Sequence, residues 1–572
     1  MHSHRRSLAA GAALATLLAG TAFADPRFVS VTSGTAPGAW TASVTGASGP
    51  VTFLADGKPV PAQVTAEGGL VRATLSGVPA GTSMLGVADG GGTEAEAAIL
   101  LSPTDAIGAD LAVYHIMVGH FANGNRSNDR DQMRGFVHKN YVGGDLQGLL
   151  ERVDHIAGLG VTAVWLSPIF AAETSHGYDV TNYYAIGGAR AVPGDPAASL
   201  ALFRQVRDAL QQRGIKVILD VPLNHAHQNY DRRAGDPDGL KPKATGPKQQ
   251  AERTWDSWGA KFRYWDMDHE PTRDFLKKVA LHWLVAEKVD GIRLDYVRGV
   301  DHEFWAELYR DIRAAKPDAV IVGEAWDDKA GVEAMARDIA LYRQPVEGIG
   351  PQFDAAFDFP VQYAITDAFG RGRSLAAVEE WLQRGEAIYG PVGRPAYFLD
   401  NHDLARLGAW ANDDDKVLAA VGLLSALSGP VFLFYGTETG LSHPAPQAGF
   451  TDASRVAMPW DGLNKPLVAR TAEYLTARRD NPVLHRGARL PLLADDTALV
   501  MAKRDGATVA LVGTNLAESA RQVTLDVAGL LKSGATLTPL AGGGPAPTVG
   551  ADGTATWTLP PRSTQIAITP ES

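Results

Sequence analysis

From about Asp105 onward the chain repeats one unit, a short apolar β-rich run, a loop and an amphipathic helical stretch, and this rhythm restricts the fold more than any other feature. Eight candidate strands stand at residues 113–118, 163–167, 216–221, 291–296, 319–323, 353–359, 396–400 and 431–435, with helical periodicity visible at 202–212, 272–288 and 304–314. Neighbouring parallel strands need a crossover of a dozen or more residues, so the pattern fits a closed (β/α)8 TIM barrel. No exact sequence repeat accompanies the period, so the repetition is one of structure. Such a barrel gathers the carboxyl-terminal ends of its strands on one face, where its chemistry sits. Carboxylates stand at three of those ends: Asp295 in Gly-Ile-Arg-Leu-Asp, Glu324 in Val-Ile-Val-Gly-Glu and Asp403 in Tyr-Phe-Leu-Asp-Asn-His-Asp.

At 572 residues the chain exceeds one ordinary domain, and the barrel would occupy residues 104–482. Residues 25–103 carry short alternating runs rich in Val and Thr, punctuated by Asp56-Gly57 and Gly68-Gly69, which predicts an N-terminal all-β sandwich. Its aromatic residues with a claim to a carbohydrate platform are Trp40 and Phe53, but aromatics in strands are usually core, so a packing role is favoured. After the third barrel strand, a polar stretch at about 227–263, rich in Gly, Pro and Lys with Trp255 and Trp258 near its end, reads as an inserted loop subdomain beside the active face. Residues 483–572 return to short β runs and form a C-terminal β-sandwich.

Residues 1–24 combine Arg5 and Arg6, an apolar run at 8–18 and the small-residue pattern Ala22-Phe23-Ala24, the three parts of a signal peptide. The mature chain would then begin near Asp25 in the periplasm or outside the cell, with no membrane span; the arginine pair also admits a twin-arginine signal. A net charge of -11 without a basic stripe argues against a nucleic-acid partner. The absence of cysteine excludes disulfides, thiolate metal sites and a cysteine nucleophile.

Strand side chains alternate between faces, so Arg293 and Asp295, two apart, point the same way. A guanidinium beside a carboxylate favours its ionised form, which suits Asp295 to nucleophilic attack. Glu324 closes an apolar strand, where partial burial would let it start protonated as a general acid. Two carboxylates in opposite protonation states are the minimum for glycoside hydrolysis, and a gap of about 5 to 5.5 Å between them would imply the retaining route.

The motifs Asp220-Val-Pro-Leu-Asn-His225, Gly291-Ile-Arg-Leu-Asp295, Gly323-Glu324-Ala-Trp326 and Phe398-Leu-Asp-Asn-His-Asp403 resemble the four signature regions of the α-amylase family, glycoside hydrolase family thirteen, in the family's order. Gly160-Val-Thr-Ala-Val-Trp-Leu-Ser-Pro168 and Tyr435-Gly-Thr-Glu-Thr-Gly440 are similar to its second-strand and eighth-strand motifs. The resemblance implies that Asp295 is the nucleophile, Glu324 the acid/base and Asp403 the third carboxylate, gripping the hydroxyls of a distorted sugar. It further implies that His225 and His402 hydrogen-bond that sugar, that Arg293 orients Asp295, that Tyr178 is the aromatic floor of the site, and that Asp220 supports Arg293.

Asn123, Asn125, Asn128 and Asp129 crowd one loop, and Gly143-Gly144-Asp145 follows just before a helix; hard oxygen donors at short spacing suit Ca²⁺, while Asn/Asp-rich turns and caps have the same composition. Residues 121–129 also resemble the calcium loop of the cyclomaltodextrinase and neopullulanase branch, which implies Asn123, Asn125, Asn128, Asp129, the Gly143 carbonyl and Asp145 as ligands. The chain departs from many α-amylases after Asp295: where they carry a Lys-His pair, it has Arg298 and Gly299, which leaves Asn224 without the family's usual calcium partner. The run Val300-Asp-His-Glu-Phe-Trp305 and an N-terminal β domain are instead similar to the cyclodextrin-degrading branch, whose members often pair as homodimers through that domain. The expectation is a retaining enzyme cleaving α-1,4 links in maltooligosaccharides, cyclodextrins or starch; transglycosylation and non-catalytic glucan binding are the alternatives.

Overall fold

The computed structural model describes residues 26–34, 36–103, 106–129, 141–233, 235–241, 262–327, 330–343, 348–390 and 395–570. The apolar runs pair as β1 (Ala112–Ile116), β2 (Ala163–Leu166), β3 (Lys216–Val221), β4 (Gly291–Leu294), β5 (Val320–Gly323), β6 (Ala355–Ala356), β7 (Tyr397–Phe398) and β8 (Val431–Phe434). Their order is β6-β5-β4-β3-β2-β1-β8-β7, all parallel, and a parallel bridge between Phe357 and Ala396 closes β6 against β7. Helices such as Pro196–Gln211 and His302–Ala315 cover the barrel, each started by an aspartate, Asp195 or Asp301, whose side chain accepts an N–H of the first turn.

Two boundaries differ from the sequence pattern for physical reasons. The apolar run at 353–359 is strand only over Ala355–Ala356, because Asp358 accepts the Val361 N–H at 3.0 Å and starts the helix Phe359–Ile365. The long helical pattern at 272–288 is α-helical over Glu270–Leu281 and then widens into a π turn at His282–Ala286.

Two four-stranded antiparallel sheets precede the barrel, and sheets of five and three strands follow it, giving N- and C-terminal β-sandwiches. The two share one buried apolar cluster, in which Phe28, Val31 and Leu85 of the first meet Leu490, Val500 and Trp557 of the second. Phe53 is buried, and Trp40 is half-buried with the Arg504 guanidinium 5.7 Å above its ring, so both aromatics pack. The barrel helix Ala376–Tyr389 ties both sandwiches down: Gln383 receives the Phe28 N–H at 2.7 Å and donates to its carbonyl at 2.6 Å. On the same helix Glu386 accepts the Leu100 N–H, and Arg489 from the C-terminal sandwich bonds Glu379 at 2.6 and 2.7 Å.

Beside the barrel mouth, His225–His227, Phe262–Trp265 and Leu240–Lys241 form a three-stranded antiparallel sheet. Most of the expected insertion at 227–263, including Trp255 and Trp258, lies outside the described residues, as does the expected signal segment 1–24. No helix among the described residues is long and apolar enough to cross a membrane.

Candidate active site

The register of β3 against β4 sets Asp220 directly beside Arg293, and the alternation of β4 puts Asp295 on the same side as Arg293. Arg293 is fully buried and bridges three carboxylates. Its Nη1 donates to Asp220 Oδ1 at 2.9 Å and to Asp295 Oδ1 at 2.7 Å, and its Nη2 lies 2.7 Å from Glu324 Oε1. Burial alone would weaken the guanidinium as a base, but the facing Asp220, Glu324 and Asp295 outweigh it and hold Arg293 firmly charged. Glu324 emerges from β5 after Gly323, where an added Cβ would meet the Phe353 ring at 2.6 Å. Burial pushes the Glu324 carboxyl up to about 8, with Arg293 pulling it back only in part.

Asp403 sits past β7, with Oδ1 accepting from Arg455 at 2.7 Å and Oδ2 3.1 Å from His402 Nε2. Burial raises its pKa, and Arg455 opposes the rise. The Tyr178 ring lies parallel to that of His402, 2° between planes, and its hydroxyl reaches Asp220 Oδ2 at 2.8 Å and His402 Nε2 at 2.7 Å. His402 is 1% exposed, so its Nε2 faces Tyr178 and Asp403; burial, with His115 and Arg455 nearby, drives its pKa well down and keeps it neutral. His225 Nε2 lies 3.0 Å from the Tyr178 carbonyl, which can only accept, so that nitrogen carries the proton and a ligand contact by the ring falls to Nδ1. All eight residues expected to touch or support a substrate are thus in one connected cluster.

Six of these, Tyr178, His225, Asp295, Glu324, His402 and Asp403, line one pocket, while Asp220 and Arg293 are fully buried. The pocket walls include Phe262, Tyr264, Tyr296, Trp326 and Phe450. Trp326 is held by a 2.8 Å bond from its Nε1 to the Tyr363 hydroxyl and by stacking on Phe359. Apart from Trp326, these wall aromatics and Arg455 escape a motif-based reading, because Phe262 and Tyr264 sit on the strand beside the barrel mouth and the others on loops, all placed by the whole barrel. Arg298 is engaged by Asp327 and Asp338, at 2.6 Å each, and so braces the loop beyond Glu324. Asn224 donates to the Tyr296 carbonyl at 3.3 Å.

The Asn-rich loop divides into two roles. Asp145 is a helix cap and staple, accepting N–H groups of Gly148, Gly124 and Asn125 and the Asn128 side chain, while Asn125 accepts from Ser127. Asn123 Nδ2 donates to both Asp129 oxygens at 2.8 and 3.0 Å, and Gly143 is required beside them, since a Cβ there would lie 2.0 Å from Asp129 Oδ1. The side-chain oxygens of Asn123 and Asn128 are buried and accept no hydrogen bond among the described residues. Two orphaned amide oxygens near an aspartate are donors of the kind a hard cation takes, so this set fits Ca²⁺ chemically. No group of three or more His, Cys, Asp or Glu side chains among the described residues could hold a metal.

A carboxyl raised by burial next to another bound to an arginine is the pairing that acid-assisted cleavage of a glycosidic bond uses, and on this barrel it is the arrangement of a glycosidase site. The α-amylase catalytic-domain model matches residues 115–261 and 259–477, and the chain belongs to the α-amylase family. A cyclomaltodextrinase of Thermoanaerobacter pseudethanolicus is 29% identical over 419 residues, covering 68% of this chain and 66% of that enzyme. Neopullulanase 2 of Thermoactinomyces vulgaris is 29% identical over 404 residues, covering 66% and 64%. This chain thus spans about two thirds of the length of those relatives. The crystal structure of an Anoxybacillus α-amylase superposes with a TM-score of 0.68 at 27% identity, covering 81% of this chain and 99% of that one.

Proposed function

We propose that the protein is a retaining α-glucan hydrolase acting on α-1,4 links of maltooligosaccharides or cyclodextrins. The observation that supports this reading is the single guanidinium of Arg293 in contact with both Asp295 and Glu324, which draws the nucleophile and the acid/base of a double displacement to one site. In the first step Asp295 attacks C1 while Glu324 delivers its proton to the departing oxygen, giving a glycosyl ester of Asp295. In the second, Glu324 as carboxylate takes a proton from water, whose oxygen displaces Asp295 from C1. Arg293 holds Asp295, and Asp403, fixed by Arg455 and His402, grips sugar hydroxyls beside Tyr178. Asp129 with the Asn123 and Asn128 oxygens would hold a structural Ca²⁺, which supplies charge to fix the loop after β1. Residues 1–24 would direct export and be cleaved before Asp25, which amino-terminal sequencing of secreted protein would test.

Incubation with starch, pullulan and a cyclodextrin side by side should yield the α-anomer of maltose or glucose first, with faster turnover of the ring than of starch. Asp295→Asn should fold normally and release no reducing ends from any of the three. Release of the β-anomer, or full activity in that variant, would overturn the assignment.

A further inference from the structure

Tyr296, next to the candidate nucleophile, has φ 43° and ψ 61°, a left-handed conformation that an aromatic residue adopts at a cost. Three contacts fix it there. Asn224 donates to its carbonyl, its own N–H points to Glu324 Oε2 at 3.3 Å, and the next N–H, of Val297, bonds the Glu324 carbonyl at 3.0 Å. Backbone strain of this sort persists where surrounding contacts over-determine it, and it clusters at active sites. Here it turns the half-buried Tyr296 ring into the pocket wall together with Tyr264 and Trp326, with Glu324, Arg298 and Asp327 as its charged neighbours.

Glu324 serves the departing oxygen and then the attacking one, so the ring beside it borders the space that the leaving sugar vacates and an acceptor enters. We propose that Tyr296 is an acceptor-selecting residue, whose ring packs an incoming sugar so that a sugar hydroxyl, rather than water, captures the glycosyl group. This rests on the retaining α-glucan reading. In the transfer step the acceptor oxygen forms a bond to C1, the bond from C1 to the Asp295 oxygen breaks with its electrons returning to that carboxylate, and the hydroxyl proton passes to Glu324. An aromatic face suits the C–H face of a pyranose, and the pinned Trp326 gives the second wall.

α-Maltosyl fluoride as donor isolates this role, since its leaving group makes no sugar contact, and maltose serves as acceptor. Tyr296→Gly and Tyr296→Asn remove the ring while tolerating the left-handed turn, and Tyr296→Phe keeps the ring. The ratio of transfer product to hydrolysed product at fixed maltose should fall about fivefold or more in the Gly and Asn variants, and stay within about twofold of wild type in the Phe variant. An unchanged ratio in the folded Gly or Asn variant overturns the proposal, as does an equal fall in the Phe variant. Loss of fluoride release confined to the variants overturns it too, by placing the ring's action before acceptor entry. Failure of the wild-type protein to release fluoride would refute the underlying α-glucan reading instead.

Discussion

Raising the pH from 6 to 9 should destabilise the fold through Glu324, and Glu324→Gln should remove that loss. Burial sets the carboxyl near 8 against an ordinary value of 4.5. A folded-state pKa above the unfolded one means that the fold binds the proton more tightly, so the stabilisation is complete below about pH 4.5 and is lost as pH rises to about 8. At about 1.4 kcal/mol for each pH unit over which only the unfolded chain has released the proton, the loss between pH 6 and 9 is about 3 kcal/mol. Glutamine keeps the shape and carries no charge at any pH. The stability difference between variant and wild type, read from urea unfolding at stepped pH, should therefore grow by about 3 kcal/mol in favour of the variant. Taking the difference cancels groups remote from Glu324, such as Asp354 and Asp367, whose buried carboxyls are also raised; Asp220, pushed up to about 7 by burial, shares Arg293 with Glu324 and does not cancel. A flat difference, or one that favours wild type as pH rises, would refute the argument. The same proton should give wild-type kcat/KM a basic limb near pH 8, read from its pH profile.

Chelation with EDTA should lower the melting temperature by several degrees, with Ca²⁺ restoring it; Asp129→Ala should abolish that response, whereas Asp145→Ala should cost about 1 kcal/mol even with Ca²⁺ present, because its carboxylate caps a helix. Arg298→Met leaves Asp327 and Asp338 without their shared cation and should cost about 2–3 kcal/mol in urea unfolding, with Arg298→Lys recovering only part because one ammonium cannot span both. Gln383→Ala orphans both backbone groups of Phe28 and should cost about 2–4 kcal/mol, visible as faster proteolysis of the N-terminal sandwich.

The barrel was legible because strand and helix periods alternate along residues that neighbour each other in space. Its three carboxylates were legible for the same reason: Asp295 and Glu324 follow their strands directly, so the topology alone converges them. Arg455 was not, since nothing in the sequence near Asp403 indicates that a residue 52 positions later supplies its cation. Tyr296 escaped because its role comes from a backbone angle set by Asn224 and Glu324. Asn125 and Asp145 show the limit of composition: oxygen-rich spacing is the same for a metal loop and a helix cap, and that these oxygens accept N–H groups of Ser127 and Gly148 follows from the fold of the loop. Arg298 stood out as a departure, but that it holds Asp327 and Asp338 follows from the fold of the loop beyond β5.

The Gln383 and Arg489 contacts bear on how the protein is made. On a ribosome the strand holding Phe28 emerges first, yet its backbone partner Gln383 and the cluster around Leu490 emerge hundreds of residues later. At usual elongation rates the nascent N-terminal sheet waits on the order of half a minute with part of its apolar face uncovered. Premature termination anywhere before the last sandwich would leave that face exposed, so truncated chains should be sticky to chaperones in a way the finished protein is not.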